Sequence, residues 1–229
     1  MNPVRYQEIL SDIKPYGARL VAVSKTKPVA DISALYALGQ RLYGENKVQE
    51  MSDKYDTLSK DIDWHFIGHL QTNKVKYIAP FVAMIHAVDS LKLLEEINKQ
   101  AQKNSRTIPC LLQVHIAQEE TKFGMDKTEI LSLLNSTTYL SLQNIRICGL
   151  MGMATNTDDT TQVDKEFAGL KSLFEEIKSQ YFTGKNHFKE LSMGMSSDYH
   201  IALRHGATLI RIGSDIFGNR QPLNPQKGL

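Results

Sequence analysis

Short apolar runs alternate with longer amphipathic stretches along the whole chain. Helical spacing over residues 3–14 is broken by Pro15 and Gly17. Residues 19–25, with Leu20-Val21-Ala22-Val23 at their centre, then read as a buried strand. Residues 28–39 read as a helix with proline near its start and glycine at its end. Further strands are expected at 42–46, 64–69, 84–88, 110–116, 145–153, 191–195 and 209–213. Between them fall a helix through Val48, Met51 and Tyr55, and helices at 70–78, 91–103, 127–135, 164–181 and 198–205. The clearest is 164–181, where Phe167, Leu170, Phe174 and Ile177 share one face. Residues 117–126 and 158–161 are polar connections.

Eight short strands with helices between them predict a parallel sheet. The spacing averages about 27 residues per unit, close to a compact (β/α)8 TIM barrel of around 250 residues. A doubly wound open sheet is the alternative, but no glycine fingerprint follows the first strand. No Pro-, Gly- or Ser-rich linker interrupts the pattern, so residues 1–229 are read as a single domain.

Composition narrows the class. A net charge of +2 without blocks of like charge implies neither nucleic-acid nor membrane partners. No apolar run reaches transmembrane length and the N-terminus does not read as a signal peptide, so a cytoplasmic protein is expected; a monomer is a separate expectation. Cys110 and Cys148 each lie in an apolar run and are read as reduced core residues.

The chemistry collects at the strand ends. Lys25 closes the first apolar run, and a lysine so placed either snorkels to water or is driven toward the neutral amine that attacks carbonyls. In a barrel, phosphate is held by the loops after strands seven and eight. Those loops are Gly194-Met195-Ser196-Ser197-Asp198 and Gly213-Ser214-Asp215, small and hydroxyl-rich at expected helix starts. Read blandly, Ser197 or Asp198 is a helix cap and Gly213 a turn residue. The period of two puts Arg211 inside the barrel with Leu209 and Gly213, and Ile210 and Ile212 outside. There it needs an acceptor, either a heteroaromatic nitrogen or a carboxylate such as Glu45. Amine, phosphate loops and arginine together suggest a phosphorylated aldehyde held as a Schiff base, with pyridoxal phosphate the obvious one. A Schiff-base aldolase acting on a sugar phosphate would use the same lysine.

Five segments carry a resemblance to a known family. They are Ala22-Val23-Ser24-Lys25-Thr26-Lys27-Pro28, the stretch from Tyr43 to Glu50, Trp64 to Lys74, Gly149-Leu150-Met151-Gly152-Met153, and a C-terminal run from Leu191 through Asp198 to Arg211 and Arg220. The chain resembles the pyridoxal phosphate homeostasis proteins, relatives of the alanine racemase N-terminal barrel. The resemblance implies pyridoxal 5'-phosphate carried by Lys25 as an internal aldimine. It implies that Ser196, Ser197, Gly213 and Ser214 hold the phosphate, that Arg211 faces the pyridine nitrogen, and that Asn46 lies near the ring. It implies storage, buffering or delivery of the cofactor, with pyridoxal phosphate-dependent apo-enzymes as recipients and no catalytic residues. Lys27 and Lys74 are secondary contacts in this reading.

Other residues fit less chemistry. His65 and His69 are four apart on an expected strand, too far apart along it for a metal pair. His86 and His115 are read as core or pocket histidines, and Met151, Met153, Met193 and Met195 as packing around the barrel top. The enzymatic alternative is an amino-acid racemase. Against it, an arginine cannot protonate the pyridine nitrogen, which weakens the ring as an electron sink. The tyrosine-bearing second domain of alanine racemases also has no room after the eighth strand. An aldolase would want a carboxylate beside Lys25, for which Glu45 is the candidate.

Overall fold

β-branched and leucine-rich segments that hide both faces from water can pair only where helices cover one side and packed side chains fill the other. The eight apolar segments do this. The computed structural model describes residues 1–119 and 123–218. Strands β1 (Arg19–Val23), β2 (Leu42–Glu45), β3 (Asp63–Phe66), β4 (Met84–Val88), β5 (Ile108–Val114), β6 (Ile145–Gly152), β7 (Glu190–Ser192) and β8 (Leu209–Ile212) form a closed barrel in chain order. All pairings are parallel, and β8 closes on β1 with Val21 opposite Arg211. Closure excludes the open doubly wound sheet.

Around the barrel lie α1 (Pro3–Ile13), α2 (Val29–Ala37), α3 (Val48–Thr57), α4 (Val75–Ile78), α5 (Leu91–Lys103), α6 (Lys127–Asn135), α7 (Thr137–Ser141), α8 (Thr160–Tyr181), α9 (Tyr199–Arg204) and α10 (Ser214–Phe217). The sequence pattern misses α7, a single turn capped by Ser136. It also starts α8 four residues late, because Asp159 caps the helix by accepting from the N–H groups of Thr161 and Gln162, and so turns Thr160 and Thr161 into its first turn. Among the described residues no helix is long and apolar enough to cross a membrane.

Side chains segregate by strand parity. Val21, Met84, Leu111, Cys148, Met151 and Leu209 fill the barrel interior, whereas Ile85, Ile147, Ile210 and Ile212 pack outward under the helices. Cys148 and Met151 both face inward although they are three residues apart, which a strict period of two forbids. Gly149 resolves this. The β5–β6 register shifts there, and its φ of 153° and close approach to β7 admit no side chain: a Cβ would lie 1.7 Å from the Glu190 carbonyl oxygen.

Helix α1 clasps the last described elements. The Asn2 N–H donates to the Ile216 carbonyl at 2.7 Å, and Arg5 pairs with Asp215 at 3.2 Å. Arg5 also donates to the Tyr199 hydroxyl, which in turn donates to Asp12 at 2.7 Å.

Candidate functional site

The strands end sooner than the apolar pattern does. β1 stops at Val23, β3 at Phe66, β7 at Ser192 and β8 at Ile212, so Lys25, His69, Met193 to Met195 and Gly213 belong to loops. These loops surround a cavity of about 630 Å³ at the C-terminal mouth of the barrel. Lys25, Asn46, Ser196, Ser197, Arg211, Gly213 and Ser214, the residues singled out in the sequence, all line it.

Lys25 continues the inward parity of Val21 and Val23, while Ser24 faces outward. The backbone on either side of Lys25 is clamped. Lys54, from α3, donates to the Ser24 carbonyl, to Glu45 Oε1 and to Glu50 Oε1, each at 2.7 Å. The Ser24 hydroxyl donates to Glu45 Oε1 at 2.6 Å, and the Thr26 N–H to Glu50 Oε1 at 2.6 Å. Thr26 sits in the left-handed region with φ of 64°, a strained turn that this clamp sustains. Glu45 is fully buried, and burial raises its carboxyl pKa against the opposing pull of Lys54 and Ser24. It is therefore neither the partner of Arg211 nor a carboxylate facing Lys25. It lies on the other side of the strands, held by Lys54.

Beside the β1 loop, on the loops after β7 and β8, two serines meet. Ser196, before α9, and Ser214, at the start of α10, bring their hydroxyl oxygens to 3.0 Å. Asp198 turns back to accept from the Met195 N–H at 2.5 Å, which shapes the first loop. Gly194 takes φ of 91°, where a Cβ would press on Tyr199 and Ala202, and a Cβ on Gly213 would lie 2.8 Å from the Val23 carbonyl oxygen. Hydroxyls from two neighbouring loops, each entering a helix start and hemmed by glycines, fit a phosphate.

Arg211 rises from the floor between these walls and is 4% exposed. Its Nη1 donates to the Ser192 hydroxyl at 2.7 Å and its Nη2 to the Gly152 carbonyl at 3.0 Å. Burial lowers its pKa to about 10, against a raising influence of Asp198, so it stays charged at neutral pH. Behind Ser192 stand two buried histidines. His86 Nδ1 lies 2.9 Å from the Ser192 Oγ, and His86 Nε2 lies 2.8 Å from His65 Nδ1. Burial holds His65 down at about 3 and His86 well below its ordinary value, so both are neutral. His65 is thus a barrel-interior residue. His69 lies apart from it in the following loop, paired with Asp89 at 3.0 Å and stacked on Phe123 with ring centroids 4.2 Å apart.

The remaining expectations sort by position. Lys27 lines the cavity and donates to the Gly218 carbonyl at 2.8 Å, tying the β1 loop to the end of α10. Lys74 lies outside it, in a neighbouring depression that shares Asn46 and His69. Met153 and Met195 line the cavity, whereas Met151 is inside the barrel and Met193 packs outward. Cys110 and Cys148 are buried thiols. Asn219 and Arg220 of the C-terminal motif, and residues 120–122 of the 117–126 connection, lie outside the described residues. Among the described residues the cavity wall includes no carboxylate and no tyrosine, and no three metal-ligating side chains cluster. The clamp residues Lys54 and Glu50 and the Ser192–His86–His65 row were not singled out in the sequence as groups acting on the site. The row's only signal there was polarity within apolar strands, and Lys54 and Glu50 gave none in a helix rich in charge.

The sequence matches the family described as "Alanine racemase, N-terminal domain" over residues 5–221. It is 40% identical over 205 residues to the pyridoxal phosphate homeostasis protein of Aquifex aeolicus (strain VF5), covering 89% of this chain and 88% of that one. The structure resembles that of PipY from Synechococcus elongatus PCC7942 with PLP bound, at a TM-score of 0.84 and 35% identity, covering 93% of this chain and 98% of that chain. Alanine racemase from Bartonella henselae shares the fold at a TM-score of 0.70 and 15% identity, over 98% of this chain and 61% of that one.

Proposed function

The chain belongs to the pyridoxal phosphate homeostasis proteins of the alanine racemase N-terminal-domain family, and from that premise we propose that it holds pyridoxal phosphate on Lys25 for storage, buffering or delivery. Ser196, Ser197, Gly213 and Ser214 hold the phosphate, Arg211 faces the pyridine nitrogen and Asn46 flanks the ring. Bound there, pyridoxal phosphate supplies an aldehyde on which amines exchange. Lys25 would hold that aldehyde through its amine, with water as the leaving group. An incoming amine or water would displace Lys25 from the aldehyde carbon, returning the lysine amine and letting the cofactor leave as the new imine or as the free aldehyde toward apo-enzymes.

One observation carries this reading. A single cavity brings an amine, a pair of phosphate-facing hydroxyls and a buried arginine together, while its described wall offers neither tyrosine nor carboxylate. Racemisation needs an acid/base group on each face of the substrate, and a Schiff-base aldolase needs a carboxylate to shuttle protons. The arrangement therefore supports a carrier. The absorption spectrum of the protein mixed with pyridoxal phosphate tests it. A visible imine band, lost on borohydride reduction with the pyridoxyl group recovered on Lys25, is expected. Recovery only on Lys27 or Lys74 would reject the assignment.

A further inference from the structure

The hydrogen bonds behind Arg211 have a fixed direction. A guanidinium donates and never accepts. Arg211 Nη1 therefore donates to the Ser192 oxygen, and the Ser192 hydrogen is left to point at His86 Nδ1. That nitrogen must be bare, so neutral His86 carries its proton on Nε2 and donates to His65 Nδ1. Each donor in the row points away from the arginine, and each dipole turns its negative end toward it. Among the described residues no carboxylate lies within ion-pair distance of Arg211, so these dipoles and the Gly152 carbonyl solvate its charge. With Nη1 and Nη2 both tied, the guanidinium is held in place where Arg211 lines the cavity.

We propose that Ser192, His86 and His65 are positioning residues that aim Arg211 at the cavity, so that the site selects a heteroaromatic ring with an unprotonated nitrogen acceptor over the same ring without one. This rests on the carrier reading and adds to it the atom by which the ligand is chosen. Lys25 and the phosphate loops recognise only the aldehyde and the phosphate, which a carbocyclic analogue also carries. A desolvated charged donor left facing a C–H group has lost its acceptor, which is where discrimination of this kind is strongest.

Two measurements on the full chain test the proposal. The first uses ¹⁵N-histidine NMR without ligand. His86 is expected to show a bare Nδ1 and a protonated Nε2, and the opposite tautomer would overturn the row. The second titrates pyridoxal phosphate against its 1-deaza analogue, in which CH replaces the ring nitrogen, and follows the imine band. The wild type is expected to prefer pyridoxal phosphate by about tenfold or more. Ser192→Ala and His86→Phe should bring that ratio toward one, while Ser192→Thr, which keeps the hydroxyl, should restore it. Cys148→Ala, in the same interior but outside the row, should lower the melting temperature and leave the ratio alone. An unchanged ratio in Ser192→Ala overturns the proposal even if His86→Phe does not fold. A wild type that forms no imine band with either compound overturns the carrier reading, whereas a band whose ratio ignores the row overturns only the positioning role.

Discussion

Lys25 owes its place to the residues on either side of it. Ser24 and Thr26 are pinned by Glu45, Glu50 and Lys54, so the lysine backbone cannot relax away from the strained turn at Thr26. Lys54→Met is expected to destabilise the protein by about 3–5 kcal/mol in urea titrations, because it strands a buried carboxylate. It should also slow imine formation. Replacing Glu45, Glu50 and Lys54 together by uncharged residues should cost less than the single change. On the β7 and β8 loops, Ser196→Ala with Ser214→Ala should weaken retention of pyridoxal phosphate, by about 1.5–3 kcal/mol for each lost charge-assisted bond. Equilibrium dialysis checks this, and unchanged affinity would place the phosphate elsewhere. Lys25 and Arg211 were legible in the sequence because Lys25 closes an apolar run and Arg211 interrupts one, where charge stands out. Lys54 was not. It lies in a helix rich in charged residues, and only the tertiary fold brings it beneath Ser24.

The strands of a parallel barrel are apolar on both faces, so their existence and order could be read directly from the chain. Their C-terminal ends could not. Met195 and Gly213 continue the apolar pattern past the last ladder bonds because they line the cavity wall, and Met193 because it packs outward into the core. The bulge in β6 was equally hidden, since one glycine in a strand does not say which neighbour crowds it. Gly149→Ala is expected to force β6 and β7 apart, given the 1.7 Å approach of the added carbon to Glu190. A large loss of melting temperature or of soluble protein should follow, whereas Gly169→Ala, on α8 with open space around it, should be tolerated. A normal melting curve for Gly149→Ala would mean that the strands can slide to make room.

At the scale of the molecule, two neutral histidines in the barrel link its stability to pH. His65 stays unprotonated in the folded state down to about 3, and burial likewise holds His86 well below its ordinary value, while in the unfolded chain both take up a proton near 6.5. Below that value the unfolded state binds more protons, so stability falls as pH falls, by about 1.4 kcal/mol per unit for each histidine. Glu45 works in the other direction, because its raised pKa lets the folded state bind a proton first as the solution is acidified. Comparing denaturation of the wild type and His65→Phe between pH 7 and 5 isolates the histidine contribution, and a shallower slope is expected in the variant. The cavity sets the expected activity as well. Arg211 cannot give the ring nitrogen a proton, and no tyrosine faces Lys25 from the described wall, so amino acids incubated with the loaded protein in deuterated water should keep their α-protons. Exchange at enzyme-like rates of about 1–10³ per second would instead make it a racemase. Closure of β8 on β1, with α1 clasping α10, has its own consequence during synthesis. The ribosome makes Lys25 early and Arg211 and Ser214 late, and the first strand has no neighbour on one edge until the eighth emerges. Nascent chains therefore present Lys25 before the β7 and β8 loops that line the cavity with it exist, and on the carrier reading a chain truncated before β8 is expected not to retain pyridoxal phosphate.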